Sequence, residues 1–375
     1  MNLISPIIHK TNKQLSSSQK LIVEKIFSEE RLSLEDGLAL FSWKDLNLLG
    51  SLANWKREKL HGNVTYYIQN QHLNNTNICV LHCKFCSFRR SANEKGAYSY
   101  SKKEIYDRIR KTIGTPIREV HIVNGLHPQL KIDYYEEVLQ EIKRIRPDLH
   151  IKAFTAVELD FFCKRDHLFI EEVLERLKNA GLDSLPGGGA EIFSPQVREE
   201  ICGEKISSNR WLEIHETAHQ LGLRSTCTML YGHIETFQDR LDHMNRLRTL
   251  QDKTKGFTCF IPLRFHVKNN PLGKRKGVQM SERLDDLRNY AVSRLFLDNI
   301  SHLKAYWIMA GCETAQLALS YGCDDLDGTI NDEIITHMAG SESPIGLTRK
   351  ALLKMIQESG REAKERDSLY NLIKN

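Results

Sequence analysis

What this sequence lacks narrows it quickly. No window approaches 18 consecutive apolar residues, so no membrane span is expected. The first residues, MNLISPIIHKTNKQ, contain no uninterrupted apolar run of the kind a secretion signal needs, and the expected compartment is the cytoplasm. No long basic block occurs. The net charge of +5 is spread among 53 basic and 48 acidic residues, so nucleic acid is not an expected partner, although weak positive charge suits an anionic small molecule. No internal repeat or low-complexity segment stands out. The cysteines number nine, an odd count, and in a reducing compartment disulfide staples are disfavoured. What remains, with 41% apolar and 27% charged residues over 375 positions, is the composition of a soluble globular enzyme with room for one large α/β barrel.

Residues 1–63 read as an N-terminal helical extension. SLEDGLALF (33–41) and SWKDLNLLGSLANWKREKLHG (42–62) each open on a serine followed three residues later by aspartate, a capping-box-like signal, and the second stops at a glycine. From 64 to 375 short apolar runs alternate with amphipathic segments. The expected strands are LNNTNI (73–78), EVHIVNG (119–125), HIKAFTA (150–156), SLPGGGAEI (184–192), RSTCTML (224–230), FTCFIPLRF (257–265), LKAYWIM (303–309) and CDDLDG (323–328). Eight such runs separated by helices predict an α/β fold, a parallel sheet closed into a (βα)8 TIM-type barrel with C-terminal helices. An open doubly wound sheet is the alternative. KNNPLGKRKG (268–277) reads as a surface loop.

The chemistry concentrates in NICVLHCKFCSFRR (77–90), where Cys79, Cys83 and Cys86 fall within eight positions and Phe85 precedes the third. Six other cysteines are scattered singly. The cluster follows the first expected strand, which in a barrel puts it at the end where active sites are built. A structural zinc site wants four ligands, typically two spaced pairs, and no second pair exists; His82 abuts Cys83 and reads as a loop residue. A thioredoxin-type pair has no need of Cys79. Three thiolates on a four-iron cluster leave one iron open for a ligand that reacts.

C-x3-C-x2-C with an aromatic before the last cysteine is the pattern of the radical S-adenosylmethionine superfamily, which this chain resembles. Beyond the cluster, REVHIVNGLHP (118–128), HIKAFTAVE (150–158), LPGGGAEIF (185–193), TMLYGHIET (228–236), DNISHLKAYWIM (298–309), DDLDGT (324–329) and ERDSLY (365–370) resemble the aminofutalosine synthases of the futalosine route to menaquinone. The likeness runs from about residue 30 to residue 370. Dehypoxanthine futalosine cyclase and the deazaflavin synthases share part of it. One departure is Asn124, where the family has glycine; asparagine tolerates a left-handed φ better than most residues.

The resemblance implies a [4Fe-4S] cluster on Cys79, Cys83 and Cys86, and S-adenosylmethionine consumed as co-substrate. It also implies addition of the 5'-deoxyadenosyl radical to 3-((1-carboxyvinyl)oxy)benzoate, with a flavodoxin- or ferredoxin-like electron donor. A hydrogen-abstracting relative and a non-catalytic iron–sulfur sensor are the competing readings. The acceptor's two carboxylates call for cations or hydrogen-bond donors. Arg264 and His266, at the end of IPLRFH, are the expected partners, with Arg89 a further one. Phe85, Gly125, Gly188 and Glu191 are the expected S-adenosylmethionine contacts, the glycines because they let a backbone approach closely. Thr155, Glu158 and His233 stand at strand ends as candidate proton handlers. Each has a plainer reading: a turn glycine, a buried structural acid, a hydrogen-bonded core histidine. Asp325 and Asp327 suit a helix cap or a ligand contact, Tyr306 and Trp307 a core or a stacking face, and Cys227 and Cys259 a buried apolar role.

Overall fold

The computed structural model describes residues 15–373, so the first 14 residues of the expected helical extension lie outside the described residues. Among the described residues three helices come first, Ser17–Ser28, Leu34–Ser42 and Leu46–His61. Ser33 caps the second with its hydroxyl on the Asp36 amide, while the Asp36 carboxylate returns to the Ser33 amide, as the S-x-x-D signal predicts. The second expected start is displaced. Ser42 is the last residue of its helix, and Asp45 itself caps the third by accepting from Leu48 N at 2.9 Å. That helix ends where Gly62 turns to φ 59°. Its Leu48, Leu49, Leu52 and Ala53 are buried, and it packs along the helix Arg283–Phe296 on the outside of the strands.

Ten short strands follow: β1 (Val64–Ile68), β2 (Asn70–Leu73), β3 (Glu119–Ile122), β4 (His150–Ala153), β5 (Ser184–Leu185), β6 (Arg224–Tyr231), β7 (Phe257–Arg264), β8 (His302–Leu303), β9 (Asp325–Gly328) and β10 (Glu362–Glu365). β2 to β8 form one parallel sheet in chain order. Single bridges from Lys304 to Asp325 and from Gln71 to Asn331 carry the β9 segment across the gap between β8 and β2. The expected barrel is therefore present, with its eighth position joined by bridges rather than a full ladder. β9 instead pairs with β1, which pairs with β10, in a parallel three-stranded sheet that sequence reading missed.

Boundaries moved for physical reasons. The first barrel strand ends at Leu73, because from residue 74 the chain enters the cysteine loop. Only Ser184 and Leu185 of the glycine-rich run are strand. Trp307–Ala310, expected to extend β8, is a helical turn whose indole donates to Gly328 O at 2.9 Å.

At the end where the strands begin, a buried ion network ties distant segments together. Arg294 donates to Gly322 O and Ser301 O at 2.7 and 2.8 Å and pairs with Asp324. Asp324 also accepts from His302 Nδ1 at 2.7 Å and Leu303 N at 2.8 Å. His61 completes it, with Nε2 on Ser301 O at 2.8 Å. This is the barrel face where order usually serves stability.

Candidate active site

Residues 74–101 form the long loop between β2 and the helix Lys102–Arg110, and it is pinned before it reaches the cysteines. Cys79 N donates to Arg90 O at 3.1 Å, Arg90 N to Asn77 O at 2.8 Å, and Val80 N to Leu126 O at 3.1 Å. The loop also lies hard against Gly125. A Cβ at that position would stand 2.4 Å from Ile78 O, closer than real side chains come, so glycine is required by backbone contact. Asn124 does not use a left-handed φ. Its side-chain oxygen accepts from Asn75 N at 2.6 Å, and its own N–H donates to Glu158 at 3.0 Å.

A cavity of about 320 Å³ opens inside the barrel. Cys79, Cys83, Cys86, Phe85, Arg89, Gly125, Thr155, Glu158, Gly188, Glu191 and His266 all line it. The three sulfurs are not all within 4.8 Å of one another; among the described residues the one ligand trio that is so packed is His61, His302 and Asp324 at the opposite face. Burial pushes the Cys83 thiol up to about 12, and that of Cys86 up as well, with Lys205 opposing both shifts. Buried thiols of this kind become thiolates when positive charge arrives, and cluster iron brings it. Three thiols at a cavity wall, with no fourth ligand among them, fit the cluster.

Lys205 is a cavity-wall residue that sequence reading missed. It sits 2.5 Å from Glu191 and 5.1 Å above the Phe85 ring. Burial alone would lower its pKa, but Glu191 and the nearby thiols outweigh that and raise it. Glu191 lies beyond β5 in a loop, with φ 46°, rather than on the strand. Gly187 packs against the backbone of Cys227, where a Cβ would come within 2.6 Å.

Glu158 is buried and accepts from Thr155 N, Thr155 Oγ1 and Asn124 N at 2.8, 2.9 and 3.0 Å. Burial outweighs those bonds and pushes its carboxyl up to about 7. Thr155 caps the helix Ala156–Asp166, so this pair is both a capping box and a cavity wall. His266 is held neutral by burial; its Nε2–H donates to Met309 O at 2.9 Å. Arg89 donates to Ser91 Oγ at 2.8 Å, while its Nε is buried without a partner.

Two expected residues stand elsewhere. Strand alternation turns Leu263 and Phe265 into the cavity and Arg264 out of it. The Arg264 guanidinium instead meets Asp286 and Ser281, each at 3.2 Å. His233 does not line the cavity either. Its Nδ1 lies 3.0 Å from Glu235 and accepts from Ile234 N at 2.8 Å, and its Nε2 reaches Leu230 O at 3.2 Å, a closed structural network. Asp327 and Tyr306 line the cavity, whereas Asp325 is taken by Arg366 at 2.5 Å. Cys227 and Cys259 are buried as expected. The wall further contains His72, Asn74, His121, Lys152 and Lys304. Their signal was a polar residue inside a short apolar run, as in HIKA and HLKA.

Comparison with known proteins agrees with this geometry. The model of the radical SAM superfamily matches residues 73–247, and that of the CofH/MqnC C-terminal region matches residues 254–375. The fold and the three-thiol cavity thus define a radical S-adenosylmethionine enzyme, which uses a [4Fe-4S] cluster and S-adenosylmethionine. The chain is 46% identical to an aminodeoxyfutalosine synthase of Thermus thermophilus, over 94% of this chain and 95% of that one. It is 43% identical to one of Streptomyces coelicolor, over 94% and 93%. Within the superfamily it belongs to the aminodeoxyfutalosine synthase family. Among solved structures, the FeFe-hydrogenase maturase HydG from Carboxydothermus hydrogenoformans shares the fold at 17% identity, with a TM-score of 0.74 over 98% of this chain and 83% of that one.

Proposed function

We propose that the enzyme joins the 5'-deoxyadenosyl group of S-adenosylmethionine to 3-((1-carboxyvinyl)oxy)benzoate. The product is 6-amino-6-deoxyfutalosine, formed with migration of the aryl group and loss of the enol carboxylate carbon, on the way to menaquinone. The observation that carries this reading is the cavity running from three thiols to a wall of lysines and histidines, in a chain alike to aminodeoxyfutalosine synthases over 94% of its length. When bound, the four-iron cluster supplies one electron to the sulfonium, and methionine leaves as the adenosyl radical is released.

The chain's own residues bind, orient and exclude. Cys79, Cys83 and Cys86 would hold the cluster by three thiolates, which would leave a position on it for the amino and carboxylate groups of the methionine part. Gly125 and Gly188 let backbone approach the co-substrate, Phe85 packs beside it, and Glu191, steadied by Lys205, faces its ribose hydroxyls. Arg89 offers donors to the acceptor's enol carboxylate, while His266, whose one N–H is already given to Met309 O, lines the wall beside it. Glu158, with Thr155 on its carboxylate, exchanges a proton near neutral pH. The barrel interior limits the approach of water and stray hydrogen donors to the radical. The electron comes from a flavodoxin- or ferredoxin-like protein in the cytoplasm; no helix among the described residues is long and apolar enough to cross a membrane.

The test is anaerobic turnover of the reconstituted enzyme with S-adenosylmethionine labelled at the 5' carbon. Label is expected in aminofutalosine, with methionine as co-product and little free 5'-deoxyadenosine. Labelled 5'-deoxyadenosine in equal amount to an unlabelled product would mean hydrogen abstraction, as in the cyclase. A stable cluster with no cleavage of S-adenosylmethionine would mean a sensor.

A further inference from the structure

Barrel interiors are usually filled with branched apolar side chains. Here one interior layer is polar. His72 on β2, His121 on β3 and Lys152 on β4 are register partners on adjacent strands, and all three line the cavity. Lys304, just past β8, faces the same space. The thiols sit on the loop beyond the end of β2, so this layer lies deeper in the barrel than the cysteines.

The charges in the layer are balanced in pairs. Lys152 meets Glu119 at 2.6 Å, and Lys304 meets Asp327 at 3.1 Å. Glu333, which also faces the cavity, is held by His337 at 2.9 Å. Each ammonium keeps further N–H groups for another acceptor. The two imidazoles are not balanced at all. Their rings meet edge to face at 4.6 Å, neither ring hydrogen-bonds to any described residue, and Nε2 of each is buried without a partner. His72 is 6% exposed and Asn74, whose Oδ1 is also without a partner, 3%. Burial holds both histidines neutral, so each ring offers an N–H donor and a lone pair. Buried polar atoms without partners are rare in native proteins and call for an explanation. Here they line a cavity, and a ligand group can complete them.

Two imidazoles and two ammoniums facing one cavity suit a group made only of acceptors. A carboxylate is such a group, and paired lysines limit repulsion from Glu119 and Asp327. Above the layer the wall turns apolar, with Ile261, Leu263, Tyr306 and Met309. That sequence of surfaces matches an aryl carboxylate standing on its charged end. We propose that His72, His121, Lys152 and Lys304 form the subsite for the ring carboxylate of the acceptor, the carboxylate that survives the reaction. This rests on the functional reading above and deepens it. The benzoate end is seated in the barrel and the enol ether is turned toward the thiols, so the subsite decides which carbon meets the adenosyl group.

The experiment compares two acceptors in reconstituted enzyme: 3-((1-carboxyvinyl)oxy)benzoate and 2-phenoxyacrylate, which lacks the ring carboxylate. Wild type is expected to favour the first in kcat/KM by about ten- to hundred-fold, the range of a hydrogen bond to a charged group. In His121→Leu, and separately in His72→Leu, that preference collapses because activity on the carboxylated acceptor falls while activity on phenoxyacrylate holds within about three-fold. Equal loss on both acceptors, no loss on either, or no preference in wild type overturns the proposal. A second arm needs no turnover. Calorimetric binding of 3-hydroxybenzoate is expected to weaken by a similar factor in His121→Leu, and unchanged binding overturns the subsite. If wild type makes no adduct from either acceptor, the addition reading fails, and this binding arm still decides the subsite on its own.

Discussion

One barrel holds two buried polar networks, and they are finished differently. Where the strands begin, Arg294, Asp324, His302 and His61 close on one another and on backbone carbonyls, and no buried side-chain atom of the four lacks a partner. Inside the cavity, His72, His121 and Asn74 keep buried polar atoms with no partner at all. Both arrangements take polar groups out of water, which costs free energy unless hydrogen bonds replace those lost. The first network restores them within the chain and joins a helix end, β8 and β9. The second leaves them for something that is not the chain. Buried atoms without partners also occur away from the cavity, as at His215 and His243, so it is the cavity beside them that marks His72, His121 and Asn74 as open to a ligand.

The largest expected effect lies at the thiols. Cys79→Ala, Cys83→Ala or Cys86→Ala removes one of three cluster ligands, and turnover is expected to fall to background with loss of iron and of the cluster's visible absorbance. Cys312→Ser, away from the cavity wall, is expected to keep both. Full activity in any of the three alanine variants under anaerobic assay would sink the cluster assignment. Next is the satisfied network. Asp324→Asn leaves the Arg294 guanidinium buried without its counter-charge, a change that costs about 3–5 kcal/mol, to be read from urea unfolding.

Glu158 gives a smaller effect with a definite sign. Its carboxyl titrates near 4.5 when unfolded and about 7 when folded. Between those values the native state holds a proton the unfolded chain has lost, so the site's contribution to stability falls as pH rises from about 4.5 to about 7. Glu158→Gln cannot titrate. Relative to wild type it is expected to gain on the order of 2 kcal/mol across that interval, in cluster-loaded protein without S-adenosylmethionine. A flat difference would show that the carboxyl ionises normally. The smallest effect is at Arg264, which the sequence alone made an expected carboxylate partner. Arg264→Met is expected to leave the acceptor KM within about three-fold while lowering stability by about 1–3 kcal/mol through the lost Asp286 contact. A large rise in KM would return Arg264 to the site.

The comparison also shows what could be read from the chain alone. Cysteine spacing is local, so Cys79, Cys83 and Cys86 were legible without a fold; Thr155 and Glu158 were singled out at a strand end, but the capping box they form was not. Strand order followed from alternation of apolar runs. Facing was harder, because a one-residue error inverts a strand: Arg264 and Phe265 are neighbours, yet only Phe265 looks inward. His233 was misread because Glu235, two residues on, satisfies it locally. The polar layer was illegible for a different reason. His72, His121, Lys152 and Lys304 come from four separate segments, and only closure of the barrel brings them together. β1 and β10 are nearly 300 residues apart, and no local pattern announces that they pair.

One paired measurement tests the central claim: the unfolding midpoint and the acceptor KM, determined side by side for Asp324→Asn and His121→Leu. The account predicts a crossing. Asp324→Asn lowers the midpoint and leaves the KM of the folded enzyme within about three-fold. His121→Leu raises the KM by about ten- to hundred-fold and leaves the midpoint unchanged or higher, since an apolar side chain replaces a polar group the chain never satisfied. If His121→Leu instead lowers the midpoint as far as Asp324→Asn does and leaves the KM where it was, the cavity histidines serve the fold, and the distinction drawn between the two networks is wrong.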